Sequence, residues 1–521
     1  MAGLLLLAGW TSCKERHQEV DTRFIETLPT LDMVGAAHMP EHIAPVEAPF
    51  VMPEFKKPTF PNLVINIAES GAKQGEMVTA IIQQAIDETS AQGGGKVVIP
   101  AGQWKSGRIT LKSNVNLHIE QGAELRFSGE LEDYRPAVFT RHEGVEVMSL
   151  GACIYAYRAD NIAITGKGTL FGPEAGPVKN QMMTEDVVEN FVPVDKPVEE
   201  RIYEGHDGES IFLPMFISPT ESTNVYIEGI TLEQTAFWNI VPVYCDGVII
   251  RGVTVNSVGI PRGDGIDIES SRNVLIEYST LNNGDDCFTM KSGRGDDGIR
   301  VNRPTENVVV RHCLAKEGHG GITVGSETAG WVHNLYVHDC VFDNTGVGIR
   351  FKTRRPRGGG GDNLIYERIR MNLRHTAFRW DMLGSEMYVG DLAKRTPPRE
   401  KDALTPEFKN IHAKDILVEN ASAFINVTGI PESPMRNFSL ENAVVNSERL
   451  FTAHDAREML LRNIRISSPD TVLHFLDSKD IRFENVHFDV PGEKIYTEMA
   501  GEATENIRFV RTLPEKPEEE G

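Results

Sequence analysis

The sequence predicts an all-β solenoid, a single-stranded right-handed parallel β-helix in which each turn of the chain forms one coil. A repeated strand–turn–strand unit and alternating apolar residues within each unit lead to this fold class. The repeat is clearest in the segments that start at Asn273, Asn307 and Asn334, which align without a gap over about 19 residues. One unit cannot bury its apolar side alone, whereas stacked units can. A β-propeller is the alternative, but its blades of about 40–45 residues fit the spacing poorly.

The segments around the repeats predict how the chain is organised. The helical pattern of residues 78–92 ends at three glycines and predicts a short helix that caps the solenoid. An apolar run that ends at Cys13 resembles the end of a bacterial lipoprotein signal, although a basic start is missing. The expected parts are a lipoprotein signal (1–13), an extended Pro-rich tether (14–57), the β-helix domain (58–513) and an acidic disordered tail (514–521).

Composition excludes some classes of function. The formal net charge of −22 argues against a nucleic-acid or membrane-surface binder, because phosphates require a basic face. No apolar run is long enough for a transmembrane span, so a lipid anchor at Cys13 is the membrane attachment to expect. The six cysteines form no CxxC pair, which argues against a zinc site. Cys313 and Cys340 share one phase of the repeat, and we expect them to stack in the core.

The repeat also predicts which side chains lie next to each other on successive coils. Asp285 and His319 both lie 12 residues after the asparagine that starts their unit. Matching Ile266 and Ile268 to Phe288 and Met290 places Asp264 opposite Asp286, 22 residues later. On the coil after that of His319, Ile349 and Phe351 occupy the inward positions, so Arg350 and Lys352 point outward. Stacked coils are about 4.7–4.9 Å apart, so these residues predict one external ladder of charged side chains.

Such a ladder has the groups that glycosidic hydrolysis needs. Three clustered carboxylates repel, which raises the pKa of at least one of them and retains a proton near neutral pH. One carboxyl group can then protonate the leaving oxygen while another activates water. Aspartates in turns are common, but their phasing with a histidine and two cations on consecutive coils favours a catalytic site.

The motifs resemble those of glycoside hydrolase family 28, the polygalacturonases, whose fold is a pectin-lyase-like solenoid. The matching motifs, in order, are DGID from Asp264, GDDC from Gly284, GHG from Gly318 and RFK from Arg350. The resemblance implies an inverting enzyme without a metal or cofactor, with Asp285 as general acid and Asp264 and Asp286 holding the attacking water. It implies that His319 tunes the acid, and that Arg350 and Lys352 bind the galacturonate carboxylate.

Two departures bear on the substrate. Arg262-Gly263 replaces the family's Asn-Thr, which makes Arg262 a candidate substrate-binding residue and keeps a rhamnogalacturonan substrate open. The insertion at 293–304 and the run 140–172 resemble the exo-acting branch, in which added loops close one end of the groove. The basic cluster of residues 350–357 is expected to attract the anionic substrate despite the acidity of the chain.

The sequence therefore predicts an exported enzyme, and the products that it releases are the best test of its activity. We expect an exo-acting hydrolase of homogalacturonan oligomers that is a monomer and either periplasmic or an outer-membrane lipoprotein of a Gram-negative-type bacterium. Endo action, a Ca²⁺-dependent pectate lyase and a non-catalytic glycan-binding β-helix are the alternatives. The paired acids and the Gly-His-Gly motif argue against the lyase, and the low aromatic content of 7 % argues against the binding protein.

Overall fold

The protein forms a parallel β-helix, as the repeat predicts. The computed structural model describes residues 19–180, 191–206 and 210–515 and the backbone of Glu518–Glu519. In these ranges, 31 strands belong to one continuous sheet that follows the solenoid, with parallel pairing between successive coils. The antiparallel pairing of Val138–His142 with Val145–Ser149 is a hairpin that projects from the coils.

The strands are mostly short, and the longer ones run through the corners between faces. From the start of the described chain to the central coils, they are Val64–Asn66, Gly95–Ile99, Gly102–Ser106, Ile109–Leu111, Val115–Ile119, Ala123–Phe127, Val138–His142, Val145–Ser149, Ala152–Tyr157, Asp160–Gly166, Thr169–Phe171, Ile202–Tyr203, Met215–Thr220, Thr223–Glu228, Thr231–Glu233, Asp246–Arg251, Thr254–Asn256, Ile266–Glu269, Arg272–Glu277, Thr280–Asn282 and Phe288–Lys291. The later strands are Thr305–Arg311, Leu314–Ala315, Gly318–Val324, Val332–Lys352, Gly360–Leu373, Thr376–Asp381, Glu407–Asn420, Ala423–Thr428, Met435–Asn446, Phe451–His454, Ala456–Ser467, Val472–Leu476, Lys479–Asp489, Tyr496–Ala500, Glu505–Val510 and Glu518–Glu519. The α-helices are Thr79–Ala91, Pro177–Asn180, Gly295–Val301 and Glu386–Val389, and the 3-10 helices are Arg23–Thr27, Ala36–His38, Leu131–Tyr134, Val198–Glu200, Gly390–Ala393 and Pro491–Glu493.

Each coil contributes strands to three faces, and one face carries the charged ladder. On that face Ile266 pairs with Phe288, which pairs with Ile322, followed by Ile349 and Phe378 on the next coils. All five of these side chains are buried. Their alternate neighbours therefore point out of the coil, since successive strand residues face opposite sides.

The asparagine that starts each repeat has a structural explanation. Asn273, Asn307, Asn334 and Asn363 all have φ between 54° and 57°, the left-handed region that asparagine tolerates well. Asn273 donates to the carboxylate of Asp246 on the preceding coil at 2.7 Å. The other three donate to the amide oxygen of the preceding asparagine, at 3.3 Å for Asn307, 2.9 Å for Asn334 and 2.7 Å for Asn363. This ladder turns the chain at the same corner of every coil and fixes the register of the strands.

Helix Thr79–Ala91 covers the first coils, at the position expected for a cap. Ile82, Ala85 and Ile86 lie on its buried face and join the main apolar core. Because the end coil of a solenoid has no neighbour on its outer side, this helix supplies the apolar surface that a further coil would provide.

Residues 19–60, here called the N-terminal strap, lie against the wall of the β-helix. Its apolar side chains cover a row of outward-facing ones that includes Tyr226, Leu275 and Val309. Arg251 donates to the carbonyl oxygen of Pro40 at 2.7 Å, and Arg311 donates to that of Ala44 at 2.7 Å. The strap contains the 3-10 helices Arg23–Thr27 and Ala36–His38, and it is bonded to the solenoid, which composition did not indicate.

Several sequence predictions concern the two ends of the chain. The signal, including Cys13, lies outside the described residues, as do residues 516, 517, 520 and 521 of the tail. The backbone of Glu518–Glu519 pairs with Tyr496 and Thr497. None of the helices in the described ranges is long and apolar enough to cross a bilayer. Cys313 and Cys340 are buried free thiols, which confirms their expected place in the core.

Candidate active site

The three aspartates meet on one outer face because of the register of their strands. The backbone N–H of Gly265 donates to the carbonyl oxygen of Asp286 at 2.9 Å, and that of His319 donates to Asp285 at 2.9 Å. These contacts match the pairing that the repeat predicts. One carboxylate oxygen from each of Asp264, Asp285 and Asp286 lies within 4.8 Å of the other two.

Asp286 is held as a carboxylate by two cations from a later coil. Lys352 Nζ donates to Oδ2 at 2.6 Å, and Arg350 Nη1 donates to Oδ1 at 3.1 Å. Burial acts to raise the pKa of Asp286, but Lys352 and Arg350 outweigh it and hold the pKa well below its usual range. Asp286 is therefore ionised at neutral pH and can accept a proton from water.

Asp285 is paired with His319 at the mouth of the site. The Asp285 carboxylate accepts a hydrogen bond from the imidazole Nδ1 at 3.0 Å. Burial opposes ionisation of Asp285, but this hydrogen bond lowers its pKa, and the same bond raises the pKa of His319 against burial. This hydrogen bond provides a path along which a proton can move between the imidazole and the carboxylate.

Asp264 is the carboxyl group of the cluster that holds its proton most tightly. Burial raises its pKa well above the usual value, and the charges of Asp267 and Asp285 raise it further. Asp267, on strand Ile266–Glu269 that follows Asp264, is fully buried, and burial is the main cause of its pKa of about 8. The repulsion expected from clustered carboxylates is therefore concentrated on the Asp264 side.

A cation could also bind to this cluster, since carboxylate oxygens are ligands for Ca²⁺ and Mg²⁺. Two features of the cluster argue that a cation is not needed there. Lys352 and Arg350 already provide positive charge at Asp286. Ca²⁺ also takes six to eight oxygen ligands, whereas the cluster brings together one oxygen from each of three carboxyl groups.

All members of the ladder except the fully buried Asp286 line a pocket of about 570 Å³. Its lining residues come from six coils and from the loops around them: Glu143, Trp238, Arg262, Asp264, Asp285, Lys291, Arg294, His319, Ser326, Glu327, Arg350, Lys352, Thr353, Arg354, Arg379, Asp381, Gly384, Ser385 and Tyr388. A second groove of about 420 Å³ shares His319, Arg350 and Arg379 with it and continues sideways past Arg374 and His375. The Asp285–His319 pair therefore stands where the two spaces meet.

Two inserted segments close the pocket on the side of the earlier coils. Glu143, at the tip of the hairpin, accepts hydrogen bonds or ion pairs from Arg262 at 3.2 Å and from Arg294 at 3.1 Å. The helix Gly295–Val301 fixes the hairpin, because Asp297 accepts from the backbone N–H of Glu146 at 2.9 Å. Arg262 thus lies in the pocket, as expected, and belongs to this wall.

A buried ionic network supports the floor of the pocket. Glu327 is 4 % exposed and accepts from Arg294 at 2.9 Å, from Arg357 at 2.9 Å and from Lys291 at 3.1 Å. Burial opposes its ionisation, but Lys291 and Arg357 outweigh that effect and hold the pKa of Glu327 well below normal. Lys291 also lies 4.5 Å from the centre of the Trp238 ring. Sequence reasoning missed this network, because its members share no motif.

The basic cluster at 350–357 divides into two groups. Arg350, Lys352 and Arg354 line the pocket, whereas Arg355 and Arg357 are buried and bind Glu432 and Glu327. The expectation that the whole cluster attracts substrate is therefore wrong for its last two members, which stabilise loops.

An aromatic residue of the site lies on a loop. Tyr388 lines the pocket under the guanidinium of Arg354, 4.6 Å from the ring centre. Trp380, the other nearby aromatic side chain in the sequence, is fully buried and stacks on Phe351 at 4.6 Å. Trp380 therefore belongs to the core, and the phase of its strand carries the signal that it faces inward.

The family model for glycosyl hydrolases family 28 matches residues 204–375, a range that contains the whole ladder. Over this range the chain is similar to glycoside hydrolase family 28. It is a glycoside hydrolase, and the resemblance of its motifs to the polygalacturonases is confirmed. This similarity also accounts for the β-helix, which is the fold of the solved relatives.

Two curated relatives show how far the family 28 similarity extends. A probable polygalacturonase of Vitis vinifera is 26 % identical over 71 % of this chain and 71 % of its own length. An exo-poly-α-D-galacturonosidase of Dickeya chrysanthemi is 26 % identical over 59 % of this chain and 55 % of its own length. The similarity thus spans 55 % to 71 % of the length of these two relatives.

Solved structures agree with this family 28 fold. A hyperthermoactive exopolygalacturonase of Thermotoga maritima is 29 % identical, with a TM-score of 0.69 over 76 % of this chain and 90 % of that one. A family 28 exopolygalacturonase of Yersinia enterocolitica, 21 % identical with a TM-score of 0.59 over 86 % of this chain and 78 % of that one, shares the fold.

Proposed function

We propose that this enzyme removes galacturonate from the end of homogalacturonan oligomers by acid–base hydrolysis. The observation that carries the proposal is a pocket that contains the aspartate ladder and ends at the wall of Glu143, Arg262 and Arg294. A chain of sugars cannot continue through this wall, so the glycosidic bond at the ladder lies near a chain end. The names of the exo-acting relatives support the same reading.

The environment of each carboxyl group supports its proposed role. Asp285 is the general acid, because it can exchange a proton with His319, which borders both the pocket and the second groove. Asp286 is the general base that, with Asp264, holds the attacking water, since Lys352 and Arg350 keep it ionised. Arg350, Lys352 and Arg262 provide positive charge for uronate carboxylates, which Arg binds bidentately.

Inversion of the anomeric carbon is part of the proposal and needs its own test. Inverting enzymes usually separate their two carboxyl groups by about 6.5–9.5 Å, and retaining enzymes by about 5–5.5 Å. The nearest oxygens here are within 4.8 Å, so the support for inversion comes from the family resemblance and from the ionised base beside a proton-bearing pair. Proton NMR of the first product formed should show the β-anomer from an α-linked substrate, and an initial α-anomer would exclude inversion.

Products from polygalacturonate and from defined oligomers test the proposed function as a whole. We expect monomeric galacturonate from the first minutes, with activity unchanged by a chelator. Mixed oligomers would show endo action, and an unsaturated, ultraviolet-absorbing product lost with the chelator would show a lyase. Asp285→Asn serves as the inactive control. Release of galacturonate from rhamnogalacturonan fragments alone would show a different substrate, with Arg262 as the residue that determines it.

Export of the enzyme, with attachment to a membrane through Cys13, is a further part of the proposal. It is supported by the apolar run before Cys13 and by the polymeric nature of pectic substrates, which lie outside cells. Metabolic labelling with a radioactive fatty acid tests it, and a Cys13→Ser variant should lose both the label and the membrane association.

A further inference from the structure

A long loop borders the pocket on the side of the later coils. Residues 382–406 connect strand Thr376–Asp381 to strand Glu407–Asn420 and contain the short helix Glu386–Val389 and the 3-10 helix Gly390–Ala393. This loop stands opposite the wall of Glu143, Arg262 and Arg294, since that wall contacts the earlier coils.

Ion pairs hold the loop against turns of later coils. Arg395 donates to both carboxylate oxygens of Asp455, at 2.6 Å and 2.8 Å, and also binds Asp477. Arg355 donates to the carbonyl oxygens of Leu392 and Lys394, at 2.9 Å each. These bonds join the loop to the coil before it and to two coils after it, so its position is set by the solenoid.

The start of the loop forms part of the pocket. Gly384, Ser385 and Tyr388 line it, and among the described residues the lining extends no further along the solenoid than this loop. Strand Phe288–Lys291, which follows Asp285, lies three coil spacings before strand Thr376–Asp381. At about 4.7–4.9 Å per coil, the loop stands roughly 14 Å from the coil of the proposed acid.

We propose that this loop, residues 382–406, closes the pocket on its second side and makes the enzyme selective for short oligogalacturonides over the polymer. The inference rests on the proposed function. An exo-acting enzyme with one closed end would accept a leaving group of any chain length, and the loop would limit that length. The lateral groove past Arg374 and His375 is the other route by which a long chain could leave.

Chain-length dependence of kcat/KM tests this limit. Di-, tri- and hexagalacturonate and polygalacturonate are compared at equal concentrations of chain ends, because an exo-acting enzyme attacks ends. We expect kcat/KM on the polymer to be at least about tenfold lower than on the trimer, a difference of about 1.4 kcal/mol in transition-state stabilisation. Values that rise with length would overturn the inference and leave the hydrolase intact, with the chain leaving through the lateral groove. Inactivity on every galacturonide would instead overturn the proposed function.

Variants of the loop test whether it causes the selectivity. Arg395→Ala removes its bonds to Asp455 and Asp477, and Tyr388→Ala shortens the wall while leaving those bonds in place. We expect each to bring the trimer and polymer to within about threefold of each other. Arg465→Ala, which removes a surface pair with Asp489 at 2.7 Å, is the matched control and should keep the wild-type ratio. A wild-type ratio in both loop variants, with their melting temperatures preserved, would refute the assignment to the loop.

Discussion

The Lys352–Asp286 pair allows a quantitative test of the proposed base. The two groups are 2.6 Å apart, with Asp286 fully buried and the lysine side chain 21 % exposed. At an effective dielectric constant of about 20, the Coulomb energy of such a pair is about 6 kcal/mol. Arg350 remains in Lys352→Met, and water can enter the partly exposed space, so we expect about half of this or less. A loss of about 2.7 kcal/mol corresponds to a rise of about two units in the pKa of Asp286.

The assay is the pH dependence of kcat/KM on trigalacturonate, which reports the ionisations of the free enzyme. Because ionised Asp286 is the active form, the acidic limb of the profile should move upward by about two units in Lys352→Met. Lys352 also faces the substrate, so the maximum falls too, but that loss does not move the limb. Lys479→Met removes a lysine from a surface pair with Glu505 and should leave the limb in place. An unmoved limb in Lys352→Met would refute the assignment of Asp286 as base.

The other predictions concern the remaining carboxyl groups and the strap. Asp264→Asn, Asp285→Asn and Asp286→Asn should each lower kcat by at least about 10²-fold in a reducing-sugar assay, the scale of lost acid–base catalysis. Glu327→Gln leaves three cations without their shared carboxylate and should lower the free energy of unfolding in urea by about 3–5 kcal/mol. Since the native pKa of Glu327 is depressed, its contribution is present above the usual glutamate pKa and is lost as the pH falls through the native value. Arg251→Met should lower unfolding free energy by about 1–3 kcal/mol and speed amide exchange in the strap.

Controls separate these effects from general damage. The aspartate variants should keep the wild-type melting temperature to within a few degrees, and near-normal turnover in Asp285→Asn would contradict its role as acid. If the stability cost of Glu327→Gln were the same at low and neutral pH, its ionised network would not be the cause. Faster exchange throughout the coils in Arg251→Met, and not in the strap alone, would contradict a local role.

The sequence predicts the parts of the structure that repeat. It does not predict the parts where the chain departs from the repeat. The positions of Asp264, Asp285 and His319 follow from strand phase, because a shift of one residue would turn Ile266 outward and Asp267 into the apolar core of the coil. The same argument places Trp380 in the core, because it occupies an inward phase.

The walls of the pocket could not be predicted in this way. Glu143 lies on a hairpin and Tyr388 on a long loop, and both are insertions into the repeat, so no second copy shows where they point. Glu327 binds Arg294 and Lys291 through side chains from different loops and strands, and such pairs leave no periodic signal. The composition of the strap shows its prolines, but it does not predict that arginines of the coils bind the carbonyl groups of the strap.

The strap changes how the ends of the solenoid depend on each other. In a stack of repeats each coil contacts its neighbours alone, and stability is nearly a sum of local terms. Here the backbone N–H of Asp21 donates to Asn463 at 3.1 Å, while Thr59 accepts from Asn161 at 3.2 Å. The strap, which is synthesised before the coils, therefore has no complete docking surface until most of the coils exist. Through the strap, coils that are far apart in the sequence become parts of one cooperative unit. A single break in the strap therefore affects the stability of coils along the whole stack.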